Sequence, residues 1–453
     1  MNSDFLLDTE ESKYLFKNFA EQLPIIDYHN HLSAKEILQD YRYENITELW
    51  LKSDPYKHRA MRMCGVEEHY ITGDASDFEK FKKWCSVFPK LIGNPLYHWS
   101  KMELTQVFNL DIPINSENAD ILWKDLNKKL KTPEYTSKSI LSRFNIEYCA
   151  PCMTINSDIS QFEKNKIHSP SLRGDDMNNI TAEFIRELED NTGVQISSLD
   201  SLKKAIHKRC EVFHLAGCRF ADHALDYNFY YKCDDGNNNK RLQKIIQGEE
   251  LNVEDMAYLN SELLRIAGNE YALQGWVMQL HIGAMRYTST RLRNAVGAAG
   301  GFAGIGRVDT RHIAQLLDDI EHGENGIPRT ILFTLNPASN AEIAILEGSY
   351  SRDGVSALIQ QGPAWWWCDH YQGIYGMLDS ISSFGLLYEF IGMTTDSRSI
   401  LSFVRHEYFR RVLCVWIGRK VKSGEFDADL NFLGEMIERI CYLNAASAAG
   451  MEA

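Results

Sequence analysis

The sequence predicts an α/β fold, a (β/α)8 barrel carrying a helical insertion after its first strand. Two observations predict it. From Ser142 onward, short apolar runs alternate with amphipathic stretches, the pattern of βα units on a parallel sheet. Polar residues with chemical capacity follow directly on those runs, where a barrel collects its active-site groups. A chain of 453 residues, 44% hydrophobic, is long enough for one large barrel. Residues 1–453 are therefore read as a single barrel domain, with 33–131 as the insertion.

The first strand is Pro24-Ile25-Ile26-Asp27-Tyr28-His29-Asn30-His31, an apolar run closed by two histidines. Residues from Ser33 to Lys131 read mostly as helix and loop, punctuated by Pro89, Pro95 and Pro113. Further strands are expected at Ile146–Ala150, Gly217–Ala221, Trp276–Leu280, Thr330–Thr334 and Leu387–Ile391, with helices such as Ser201–Leu215 and Met256–Gln274 between them. Asp234–Asn239 is a polar surface loop. No Gly-x-Gly-x-x-Gly follows a strand, which disfavours a dinucleotide-binding sheet. Ala299–Gly304 lacks the Lys-Ser/Thr of a phosphate loop and reads as a flexible loop.

Lys and Arg total 48 against 62 Asp and Glu, a net charge of −14, which argues against nucleic acid or an anionic membrane as partner. No secretory leader is visible in Met1–Asp8, and no apolar run approaches the roughly 18 residues that span a bilayer. Ten scattered cysteines suit reduced thiols, and the expected location is the cytoplasm. Cys149 and Cys152 form the only close pair and are read as core thiols, since no second pair completes a zinc site.

On a strand, His29 and His31 share one face and emerge together at its C-terminal end. Imidazole suits zinc, iron or nickel. The other strand ends offer Asp222-His223, His281, and Asp396 with Arg398. Asp396 reads either as the cap of a helix beginning near Ser399 or as a metal carboxylate, and the His-x-His favours the second. Two imidazoles and one carboxylate leave open positions, as a catalytic ion requires. His223 and His281 are each a further ligand, a proton carrier or a hydrogen-bonded strand-end histidine. The strand around Tyr148–Cys152 has no lysine to bridge two ions, so one metal is expected. Arg173, Arg286 and Arg398 suggest an anionic substrate, because guanidinium forks grip carboxylates bidentately. Trp365-Trp366-Trp367-Cys368-Asp369-His370 offers aromatic walls, and Phe409-Arg410-Arg411 reads as a helix face.

Taken together, these segments resemble the uronate isomerases of the amidohydrolase superfamily. The resemblance is carried by Asp4–Glu10, Asp27–Leu32, Thr72–Asp77, Gly93–Trp99, Asp222–Asp226, His281–Ala284, Thr395–Ser399 and Arg405–Arg411, in that order. It implies a distorted (β/α)8 barrel of the metal-dependent hydrolase type and one divalent ion, commonly zinc. It also implies interconversion of D-glucuronate with D-fructuronate and of D-galacturonate with D-tagaturonate. The family's metal residues fall on His29, His31 and Asp396. Its other site positions fall on Tyr56, Arg173, Asp222, His281, Arg286 and Arg398, of which Tyr56 and His281 are expected as proton donors, with Asp396 or a metal-bound hydroxide beside it as base. The chain departs from the family at Pro55, where a site histidine is usual, at Pro151–Ile155, and at Ala303 and Arg307. An isomerase or epimerase of another sugar acid, a mononuclear metal-dependent hydrolase, and a sugar-acid binding protein are the alternatives. The expected partner is a small anionic sugar; a homo-oligomer is left open.

Overall fold

A computed structural model describes residues 2–162, 167–297 and 300–451. Seven strands form one sheet: β1 (Ile25–Asn30), β2 (Ile146–Thr154), β3 (Ser171–Arg173), β4 (Phe220–Leu225), β5 (Val277–Ile282), β6 (Thr330–Thr334) and β7 (Ile359–Gln361). They hydrogen-bond in chain order, and every neighbouring pair is parallel. Parallel neighbours need crossovers, and helices supply them. Ala182–Thr192 and Leu199–Leu215 lead into β4, Val253–Gln274 into β5, and Thr310–Glu321 into β6. Thr310–Glu321 shows why such segments fold as helix: Ile313, Leu316, Leu317 and Ile320 fall on one face and are all buried, while Asp309 caps the first turn through Arg311 N.

The sheet curls into a half-barrel. β1 and β5 are separated by three strands, yet the rings of His29 and His281 lie 4.5 Å apart. Between β1 and β2 the described residues are helical or loop, from Ala34–Leu38 to Ser137–Ser142. Their core is shared with the C-terminal helix Val404–Ser423: Trp50, Trp84 and Trp416 belong to one buried cluster. The helices around β3–β6 form a second cluster containing Phe213, Tyr271 and Trp276.

Several expected elements differ. Leu387–Ile391 is not a strand; Leu387–Glu389 is a single 3-10 turn. Its apolar residues bury in that turn, a form that periodicity cannot tell from a short strand. The chain then runs beside β1 without regular strand geometry, because Gly392 (φ 79°) and Asp396 (φ 47°) leave the extended region. Two backbone bonds nevertheless tie it there, Asp396 N to His29 O (3.0 Å) and His31 N to Ser397 O (2.8 Å). β3 and β7 were not anticipated, and β4 begins at Phe220 because Gly217 (φ 94°) is still turning the chain out of the preceding helix. Of the expected loop at Ala299–Gly304, Ala299 lies outside the described residues, whereas Gly304–Ile305 pairs antiparallel with Ala284–Met285. The Arg410-Arg411 pair does lie on a helix, but both side chains are buried rather than solvated. Arg410 donates to the carbonyls of Ala20, Leu23 and Pro24, and Arg411 to those of Ser3 and Phe5. Among the described residues, no helix is long and apolar enough to cross a membrane.

Buried in the middle of β1 is Asp27, wholly inaccessible. Its carboxylate accepts from Thr395 N (2.7 Å), Thr395 Oγ1 (2.9 Å), Thr394 Oγ1 (3.0 Å), His406 Nε2 (3.2 Å) and Asn30 Nδ2 (2.8 Å). Burial alone would push this carboxyl up; the His406 hydrogen bond and charge, with the Thr395 amide, hold it below the ordinary range instead. Asp27 thereby fastens the 394–396 segment and the helix that follows to the first strand.

Candidate active site

The strand ends and the 394–398 segment converge on one small cavity of about 40 Å³, whose walls include His29, His31, Arg173, Asp222, His281, Trp365, Asp396 and Arg398. Asp396 Oδ1 lies 3.3 Å from His29 Nε2 and 3.1 Å from His31 Nε2. Its other oxygen accepts from Trp365 Nε1 at 2.6 Å. Asp396 is thus not a helix cap. That role belongs to Ser399, whose hydroxyl accepts from Leu401 N.

His281 belongs to the same group. Its Nδ1 is 3.7 Å from Asp222 Oδ2, its ring lies against Phe333 and Trp365, and its Nε2 is buried without a hydrogen-bond partner among the described residues. His223 does not belong. Side chains alternate along β4, so Asp222 faces the cavity while His223 turns outward to Tyr271 Oη (2.8 Å) and Asn178 (3.3 Å). Gly174 makes room for that ring, since a Cβ there would lie 2.1 Å from His223 Cε1.

The three arginines separate by their partners. Arg173 spans Asp222 (3.2 Å) and Asp175 (2.5 Å), and Arg286 pairs with Asp226 (3.1 Å) while lying over Trp366. Arg398, half-buried in the cavity wall, has no carboxylate within ion-pair distance among the described residues. Tyr56 stands at the margin; its hydroxyl donates to Trp366 O at 3.2 Å and makes no hydrogen bond to the histidines or Asp396. Trp365 and Trp366 are stacked walls, and Trp366 (φ 54°) shares with Asp396 a backbone region that non-glycine residues rarely adopt.

Cys152 was expected in the core and is not there. Cys149 is buried and accepts from Asn30 Nδ2, but Cys152 is only partly buried and lies behind two residues of the cavity wall, its Sγ 3.5 and 3.9 Å from the two ring nitrogens of His29 and 3.6 Å from Asp222 Oδ1. β2 runs four residues beyond the expected Ile146–Ala150, which carries Cys152 to the mouth. Asp27 was the other omission; nothing near it in the chain shows that its donors come from residues 394–406.

Burial opposes protonation at all three histidines. At His31 burial, with the Arg398 charge added to it, outweighs the Asp396 contact and brings the imidazole down to about 3. His281 is pushed well below its ordinary value by burial and by His29 beside it. Both therefore keep free lone pairs at neutral pH, the form a metal needs. His29 goes the other way: burial is overcome by Cys152, Asp222 and Asp396, so positive charge is favoured at this point. Asp396, despite its burial, is held well below the carboxylate range by the same histidines.

This donor set fits a divalent cation. Ligands at about 2.0–2.1 Å in a tetrahedron stand roughly 3.3 Å from one another, close to both Asp396–histidine distances. His29, Asp222 and His281, and separately His29, His31 and Cys152, also bring ligand atoms within 4.8 Å of one another.

The loops carrying Pro55 and Gly301 pack together. Pro55 opens the helix Pro55–Met63 under the Asp54 cap, and Gly301 sits on it so closely that a Cβ would fall 2.2 Å from Pro55 O. Arg59 donates to Ala303 O and Arg62 to Gly300 O.

The glucuronate isomerase family model matches residues 1–448. A uronate isomerase of Caldanaerobacter subterraneus subsp. tengcongensis is 38% identical, covering 100% of this chain and 99% of the relative. One from Caldicellulosiruptor bescii is 39% identical, with 98% of each covered. The crystal structure of a uronate isomerase from Thermotoga maritima superposes with a TM-score of 0.91 at 29% identity, covering 99% of both chains. With its half-barrel and its histidine–carboxylate cavity, the chain belongs to the glucuronate isomerase family.

Proposed function

We propose that the protein interconverts a hexuronate with its keto form, D-glucuronate with D-fructuronate and D-galacturonate with D-tagaturonate. The observation that carries the reading is Arg398: a guanidinium with no carboxylate partner among the described residues, beside His29, His31 and Asp396, awaits an acid. One divalent ion, zinc, is the cofactor; held by His29, His31 and Asp396, it supplies Lewis-acid stabilisation of negative charge on the sugar's oxygens.

The chain's own residues do the rest. Moving a proton from C2 to C1 needs a base, and Asp396, held ionised, takes it. His281, in the neutral tautomer that carries its proton on Nε2, and the Tyr56 hydroxyl serve as donors to oxygens of the enediol, Tyr56 by turning from the Trp366 carbonyl. Asp222, held by Arg173, accepts from a sugar hydroxyl. Arg398, with Arg173 and Arg286, grips the C6 carboxylate. The small cavity adjoins one of about 620 Å³ that shares Ala224 and Arg286, room for the sugar's remaining carbons. The segment 391–397 acts as the eighth stave, making the half-barrel a distorted (β/α)8 barrel of the metal-dependent hydrolase type, a single domain over 1–453 with 33–131 inserted. Ten free thiols support a cytoplasmic location.

The test is to incubate the pure protein with D-glucuronate and D-galacturonate, with zinc, with manganese and after chelation, and to measure ketose. Ketose formed from either acid, and lost on chelation, is expected. A second reading, isomerisation or epimerisation of a modified sugar acid, is checked by a panel of sugar acids in the same assay. Conversion of neutral aldoses alone would refute both. Arg398→Leu is expected to lower kcat/KM for the uronate by about 10–100-fold, the loss of a charged hydrogen-bond pair, without lowering it for a neutral aldose. Equal loss for both would remove Arg398 from carboxylate binding.

A further inference from the structure

Cys152 takes no part in the proton transfer above, yet it is only partly buried and lies against His29 and Asp222 of the cavity wall. Its Sγ is 3.9 Å from His29 Nε2, and it forms with His29 and His31 a group of donors all within 4.8 Å of one another. Around a tetrahedral zinc, a sulfur at about 2.3 Å stands roughly 3.6 Å from a nitrogen at about 2.0 Å, a few tenths of an ångström closer than this sulfur already is. A second feature points to an occupant of the same cavity: His281 Nε2, buried and without a partner, lines it from the opposite side of the curled sheet.

We propose that Cys152 is a thiolate ligand of the cation, joining His29, His31 and Asp396 as a fourth protein donor, with expansion to five donors leaving room for a sugar oxygen. The proposal rests on the metal reading above and extends it. On binding, the thiol proton leaves to solvent. Asp222, 3.6 Å from Sγ, then keeps Arg173 as its partner at 3.2 Å. A thiolate added to two imidazoles is a soft donor, and it makes this chain select zinc over manganese or magnesium. His281 stays outside the set, so its free nitrogen remains turned to the substrate.

Cobalt substitution tests this without reference to turnover. The full-length protein is stripped by chelation and reloaded with Co2+, beside Cys152→Ser treated identically. The wild type is expected to show the intense near-ultraviolet thiolate-to-cobalt charge-transfer band together with visible d–d bands, and Cys152→Ser the d–d bands only. In chelator competition, Cys152→Ser loses at least about tenfold in zinc affinity while its manganese affinity changes little. Wild-type d–d bands without charge transfer, or a charge-transfer band that survives in Cys152→Ser, overturns the thiolate ligand and leaves the metal reading standing. Failure of wild type to bind stoichiometric cobalt or zinc overturns both.

Discussion

Asp396→Asn is expected to lower kcat on D-glucuronate by about 10²–10⁴-fold, the range for removing a general base, while leaving the folded state intact. The folding half of this expectation comes from the geometry. Asn tolerates a left-handed backbone as readily as Asp, so φ 47° costs the variant nothing extra. Its amide oxygen still accepts from Trp365 Nε1. What disappears is the negative charge that faces His29 and His31 and that those histidines keep ionised. The checks are kcat from ketose formation and the thermal midpoint of the variant. A near-normal rate would exclude Asp396 as an essential group. A collapse of the midpoint would make its role structural.

Asp27→Ala has the largest expected effect on stability, about 3–5 kcal/mol, the loss that follows when one member of a buried charged network is removed. Three donors lose their acceptor at once, two of them on Thr395 and one on His406, while Thr394 Oγ1 and Asn30 Nδ2 each lose one of two. Asp27→Asn keeps one acceptor oxygen but turns an NH2 group toward donors, so a smaller loss of about 1–3 kcal/mol is expected. Urea titration of the three proteins gives the ranking. An alanine variant with the wild-type midpoint would show that Asp27 does not hold the segment 394–396. Because Asp396 rides on that segment, both variants are also expected to bind zinc more weakly than wild type.

Both variants bear on how much of this molecule its sequence discloses. His29, His31 and Asp396 were legible because a chemical residue standing directly after an apolar run has few other reasons to be there, and they do meet. Asp222, His281 and Arg398 were legible on the same ground, Arg173 and Arg286 as guanidiniums suited to an anionic substrate, and all line the cavity. His223 misled, since adjacency to Asp222 in a strand means the opposite face. Cys152 was hidden by Cys149: a C-x-x-C pair reads as one unit, whereas this strand places the first thiol against Asn30 and carries the second beyond it. The strands Ser171–Arg173 and Ile359–Gln361 are three residues each, too short for any alternation to register. The closing segment escaped because side chains of Asp27, Thr394 and Thr395, not a regular ladder, hold it in place.

The fastening of residue 27 to residues 394–406 also sets an order of events during synthesis. A nascent chain that has emerged only as far as residue 360 owns both imidazoles but neither the carboxylate that joins them nor Arg398. Bridging a separation of 365 residues costs about 5 kcal/mol in loop-closure entropy, recovered only if the intervening helices and strands have already folded. Assembly of the proposed cation centre therefore comes last, and any C-terminal truncation before residue 394 yields a chain that carries the His-x-His yet builds no centre around it.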